Sequence, residues 1–169
     1  MQDIDQLPRV FLHTGDCYLG VQPTLVTTVL GSCVAVTMCD PRKGLGAICH
    51  AFLPNSVTFD SHGREPQLCR FVDTALDSMY ASLLKLAVRP EDLVVKVFGG
   101  ASGLMGGVQR TSLYDIGSRN IMAVRLWLMN HGLPIFKSQV GGNNGRKLHF
   151  LTHTGDVWVK QLNRSGREG

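Results

Sequence analysis

Residues 24–54 read TLVTTVLGSCVAVTMCDPRKGLGAICHAFLP. Two apolar runs, Cys33 to Cys39 and Leu45 to Leu53, flank the turn Asp40-Pro41-Arg42-Lys43-Gly44. Short apolar runs rich in Val and separated by a Pro/Gly turn predict two antiparallel strands of a hairpin. Pro41 suits the second position of a type I turn, because its ring fixes φ near the required value. A turn centred between Pro41 and Arg42 sets Cys33 directly across from His50. Opposed residues in an antiparallel pair have Cβ atoms about 4.5–5.5 Å apart, within reach of a thiol–imidazole contact. A slip of one residue would put the two side chains on opposite faces, and nothing local chooses the register.

A cysteine beside an imidazole has a specific chemistry. Thiols titrate near ~8.5, so little thiolate exists at neutral pH until a neighbouring base accepts the proton. The resulting imidazolium can then protonate a leaving group. Gly31 and Ser32, small residues just before the thiol, would let a substrate approach closely and are candidate oxyanion donors through their backbone N–H groups. The competing reading makes Cys33 and His50 two core residues of an apolar hairpin, since free cysteine is among the most buried residue types.

The segment LGSCVAV, a turn, then GAICHAFLP resembles the signature of the CheD family, the chemoreceptor glutamine deamidases of bacterial and archaeal chemotaxis. The likeness continues through Phe71 to Leu76, Phe98-Gly99-Gly100-Ala101, Ile116-Gly117-Ser118-Arg119-Asn120 and Gly141 to Arg146. The resemblance implies that Cys33 is the nucleophile, that His50, seventeen residues later, is its base, and that Thr27, six residues before the cysteine, completes the site. It implies a layered fold like that of toxin-type cysteine deamidases and a thioester mechanism with no metal or cofactor. It also implies chemoreceptor cytoplasmic domains as substrates and a CheC-type phosphatase as a partner. An alternative is a protein that chiefly activates that phosphatase; a third is a thiol hydrolase of small amides or esters. Gln139 departs from the family, which often carries Asp there.

Composition bounds the rest. The chain has 169 residues, 44% of them apolar and 18% charged, which fits one domain spanning 1–169 with a frayed tail at 165–169. Five cysteines lie scattered at 17, 33, 39, 49 and 69 without a C-x-x-C pair. That spacing argues against a zinc site and gives no support to a disulfide framework. The polar start is unlike a signal peptide, and no apolar run approaches the ~18–20 residues of a membrane helix, so a cytoplasmic setting is expected. Residues 110–169 carry nine basic and three acidic side chains, a surface suited to steering toward an acidic partner. Nucleic acid fits less well, with only 7% aromatic residues and no recognition motif.

Periodicity predicts short strands at 10–13 and 18–21, and further strands at 25–30, 93–98 and 134–140. A terminal hairpin is predicted over 147–152 and 157–162. Leu68, Val72, Ala75, Met79 and Leu83 mark a helix over 67–87, closed before Pro90. A second helix is predicted over 120–131 with Ser118 as its cap. Residues 55–66 read as a loop that could rim the site, with His62 a solvated histidine. Gly99 to Gly107 lacks the G-x-G-x-x-G order of a dinucleotide loop. The element order predicts an α+β fold, mixed and antiparallel sheets packed with helices in layers.

Overall fold

The computed structural model describes residues 3–56, 67–103 and 115–163. The loop at 57–66 with His62, the glycines at 106–107 and the tail at 165–169 lie outside the described residues. The 24–54 stretch forms strands β3 (Leu25–Leu30), β4 (Val34–Asp40) and β5 (Leu45–Ala51). β4 is buried along its whole length, which is why its sequence runs almost continuously apolar instead of alternating.

Its pairing corrects the expected register. Asp40 pairs with Leu45, so the connection is four residues long and Ala35, not Cys33, stands opposite His50. The Asp40 carboxylate accepts from the Arg42 and Lys43 N–H groups, at 3.1 and 3.3 Å, and Gly44 takes φ +65°. This side-chain-capped turn is longer than one centred on Pro41-Arg42 alone. The shift is two residues, an even number, so Cys33 and His50 keep the same face.

Around this hairpin a five-stranded sheet forms in the order β2-β5-β4-β6-β7. It adds β2 (Cys17–Gly20), β6 (Val94–Gly99) and β7 (Ile135–Val140), the last parallel to β6. A second sheet has the order β1-β3-β8-β9, built from β1 (Arg9–Phe11), β3, β8 (Arg146–Leu151) and β9 (Val157–Gln161). Two helices, α1 (Val72–Lys85) and α2 (Ile116–Asn130), cover the other face of the five-stranded sheet. The result is the expected layered α+β architecture: helices, five-stranded sheet, four-stranded sheet.

Each interface has its own core. Val34, Val36, Met38, Val95 and Val97 meet Leu76, Met79, Leu83, Val124 and Leu128 on the helix side. Cys33, Ala35, Ile48 and Phe98 meet Val26, Leu30, Leu148 and Phe150 between the sheets. Each such Leu or Phe contributes roughly 1.5–3 kcal/mol by leaving water. The helices are also joined by the Trp127 indole N–H, which donates to Asp77 at 2.8 Å.

Both helix starts differ from expectation. Leu68–Arg70 is a 3-10 turn and α1 begins at Val72. α2 begins four residues before the predicted start, because Asp115 caps it by accepting from the Ser118 N–H and hydroxyl. The cysteine reading is also corrected. Cys17 on β2 and Cys69 before α1 form a disulfide, Cα–Cα 5.7 Å, across a separation of 52 residues. No local spacing could reveal it, because the partners meet only when α1 docks beside β2.

Candidate active site

β3 ends at Leu30, and the Gly31-Ser32 bend carries the chain across to Cys33 at the mouth of β4. Glycines of the β6 end clasp this bend. Gly100 N–H donates to the Cys33 carbonyl at 2.8 Å, and Ala101 N–H to the Gly31 carbonyl at 2.9 Å. Gly99 approaches so closely, at φ +100°, that a Cβ there would lie 2.3 Å from the Cys33 carbonyl oxygen. The Cys33 side chain faces the layer between the sheets, and the residue is 9% exposed. Burial pushes its thiol pKa up, and its own backbone N–H pulls in the opposite direction. Cys39 and Cys49 are more deeply buried and are both pushed up to about 12.

His50 sits on β5, 3% exposed. Its main chain is clamped by the loop before β2: its N–H donates to Asp16 O at 2.9 Å, and its carbonyl accepts from Gly15 N–H at 2.8 Å. The ring is held by Thr28, whose Oγ1 lies 2.7 Å from Nδ1. That hydroxyl donates its single proton to the Leu12 carbonyl at 2.7 Å. It therefore accepts from Nδ1–H, which leaves Nε2 with its lone pair free. Thr14 Oγ1, 3.4 Å from Nε2, can donate to it. Burial lowers the imidazole pKa, with the Leu12 carbonyl and Asp16 acting against it. Both partners are thus neutral at neutral pH, and Nε2 is the basic position.

Thr27 is not brought to His50 in this structure. Successive residues of β3 face opposite sides. Val26, Thr28 and Leu30 point inward, while Thr27 points outward and bonds His149 Nδ1 at 2.8 Å. Thr27 and Cys33 are an even number of residues apart, which would set them on one side of a straight strand, but the Gly31-Ser32 bend lies between them. Its neighbour Thr28 occupies the place beside the imidazole. Gly31 and Ser32 are half-buried, and their carbonyls are engaged by Ala101 and Asn120. Among the described residues no hydrogen bond joins the Cys33 thiol to His50, and no cluster of His, Cys, Asp or Glu could hold a metal ion.

Three polar side chains at the site escaped the sequence reading. Thr28 was legible only once the β3 facing was known. Thr14 sits in a turn with no motif. Asn120 lay inside a stretch that matches the family but carried no assigned task.

A family profile described as CheD chemotactic sensory transduction matches residues 52–161. The chain belongs to the CheD family. A relative from Maridesulfovibrio salexigens named "Probable chemoreceptor glutamine deamidase CheD" is 51% identical over 165 residues, covering 96% of this chain and 97% of its own. A Geobacter sulfurreducens protein, "Probable chemoreceptor glutamine deamidase CheD 2", is 41% identical and covers 95% and 94%. One from Oleidesulfovibrio alaskensis, named as the first, is 42% identical and covers 96% and 76%. The profile match begins two residues after His50; the relatives extend the likeness over nearly the whole CheD chain.

Proposed function

We propose that this CheD-family chain is a cysteine-dependent protein-glutamine deamidase acting on chemoreceptor cytoplasmic domains, in the cytoplasm. The names of its relatives support the substrate class. The observation that carries the residue assignment is the Thr28–His50 bond, which leaves Nε2 basic on the same sheet face as Cys33. With both groups neutral at rest, attack begins with the Cys33 S–H proton moving to Nε2 as sulfur adds to the side-chain carboxamide carbon. The carbonyl π electrons move to oxygen, and backbone N–H groups of the 31–33 bend stabilise that oxyanion. Collapse breaks the C–N bond. The imidazolium returns its proton to nitrogen, and ammonia leaves behind a thioester. Water, deprotonated by Nε2, adds to the thioester carbon. Sulfur departs, recovers the proton, and the product is glutamate. No step draws on a metal or cofactor.

The decisive experiment incubates wild type and Cys33→Ala with receptor cytoplasmic fragments, following ammonia release and the amide-to-acid mass change. Loss of both signals in the variant is expected; turnover at the wild-type rate would refute the nucleophile. A second reading, docking on a CheC-type phosphatase, draws on α2. Its Met122, Leu126 and Met129 are 60%, 55% and 70% exposed at helical spacing. Cys33→Ala separates the two, because docking would survive it.

A further inference from the structure

Asn120 lies in the second turn of α2 with none of its surface in water. Asparagine is a poor helix-interior residue, and a buried amide must be hydrogen-bonded or it costs stability. Both of its amide protons are used. Nδ2 donates to the Ser32 carbonyl at 3.0 Å and to the Phe52 carbonyl at 3.1 Å. These acceptors flank the two strands of the central hairpin at their open end: Ser32 immediately precedes Cys33, and Phe52 directly follows β5, two residues past His50.

The place of that bridge in the ladder gives it meaning. The β4–β5 ladder ends at Val34 with Ala51. Beyond it the strands part. Cys33 turns toward Gly100, while the Phe52 N–H bonds the Arg70 carbonyl and Leu53 bridges Phe71. A backbone rung cannot span this opening, and the carboxamide fills it. α2 comes close enough because Gly117, one turn earlier, lies against the carbonyls of Gly100 and Ala101, where a Cβ would stand 2.6 and 2.4 Å away. The cost is visible in the same group, whose Oδ1 is buried with no partner among the described residues. Two diverging donors at one point are what an amide supplies; Asp supplies none and Ser one.

We infer that Asn120 is a positioning residue for the Cys33–His50 reaction, a side-chain rung that fixes the spacing of sulfur and imidazole where the hairpin opens. This rests on the deamidase reading for its kinetic arm but not for its labelling arm. The test compares wild type, Asn120→Ala, Asn120→Ser and Cys33→Ala. It measures thermal unfolding, kcat and KM for ammonia release from receptor fragments, and the rate of Cys33 alkylation by iodoacetamide against pH. A folded Asn120→Ala is expected to lose kcat on the order of a hundredfold, with KM within about twofold. Its Cys33 alkylation rate is expected to move by at least about threefold at fixed pH, and Asn120→Ser should lie between it and wild type.

Wild-type kcat and alkylation in a folded but less stable variant would make the amide purely structural and overturn the inference. Failure of both Asn120 variants to fold would overturn it equally. Turnover by Cys33→Ala would sink the deamidase reading alone, leaving the alkylation arm to decide Asn120.

Discussion

Thr27 and Thr28 are adjacent, chemically identical, and placed on opposite sides of one strand. Of the two, Thr28 is the one that bonds His50 Nδ1, so removing its hydroxyl frees the ring to rotate and lose its Nδ1–H tautomer. Thr28→Val should lower kcat by about ten- to a hundredfold, whereas Thr27→Val should leave kcat within about twofold. Equal losses in steady-state assays would contradict the assignment. The thiols give a second test. Because burial raises the Cys33 pKa, its alkylation rate should still be climbing with pH above the ordinary thiol value of ~8.5. Cys39 and Cys49, pushed up to about 12 and nearly inaccessible, should stay unlabelled in peptide mass maps of the oxidised protein. At this scale the sequence was half-legible. Cys33 and His50 stood out by motif and spacing, but which of two adjacent threonines approaches the imidazole depends on a strand's facing.

At the scale of elements, the joint between the β6 end and the Cys33 bend is the least tolerant of change. Gly99→Ala puts a methyl 2.3 Å from the Cys33 carbonyl at φ +100°, so a loss of at least about 2 kcal/mol is expected in urea unfolding. The Cys17–Cys69 bond makes a different demand. Closing a loop of 52 residues is worth about 4 kcal/mol through the unfolded chain. Reduction by dithiothreitol should therefore lower Tm by roughly 10 °C for a chain of this size, and Cys17→Ser should lower it similarly without added reductant. Strands and helices were largely readable from apolar period and breaker residues. Helix starts were not, because Asp115 takes the capping task that Ser118 could have filled. The hairpin register escaped because the Asp40 carboxylate, and not proline alone, sets the length of the turn.

For the whole molecule, acid is the informative variable. Burial lowers the pKa of His50 and of His149, the latter also repelled by Lys147 and Arg9. Below about pH 6.5 the unfolded chain takes up protons that the native histidines resist. Their contribution to stability is therefore complete above that value and lost as pH falls through the depressed native values. Tm should decline between pH 7 and 5, and His50→Gln should flatten the decline; an unchanged slope would show that His50 is not the group responsible. The layering itself was legible, because strand-like and helical periods alternate along the chain. Which layer would hold the chemistry was not, since that follows from the direction in which one sheet turns its odd and even residues.

Cys33 and His50, the proposed pair, look into the seam between two β-layers, away from α1 and most of α2. The skin of those helices can thus be rewritten by mutation at little cost to turnover, provided the single amide reaching through from α2 is kept. Encounters on the helical side can diversify from one descendant to the next while the seam keeps the arrangement that the proposed reaction needs.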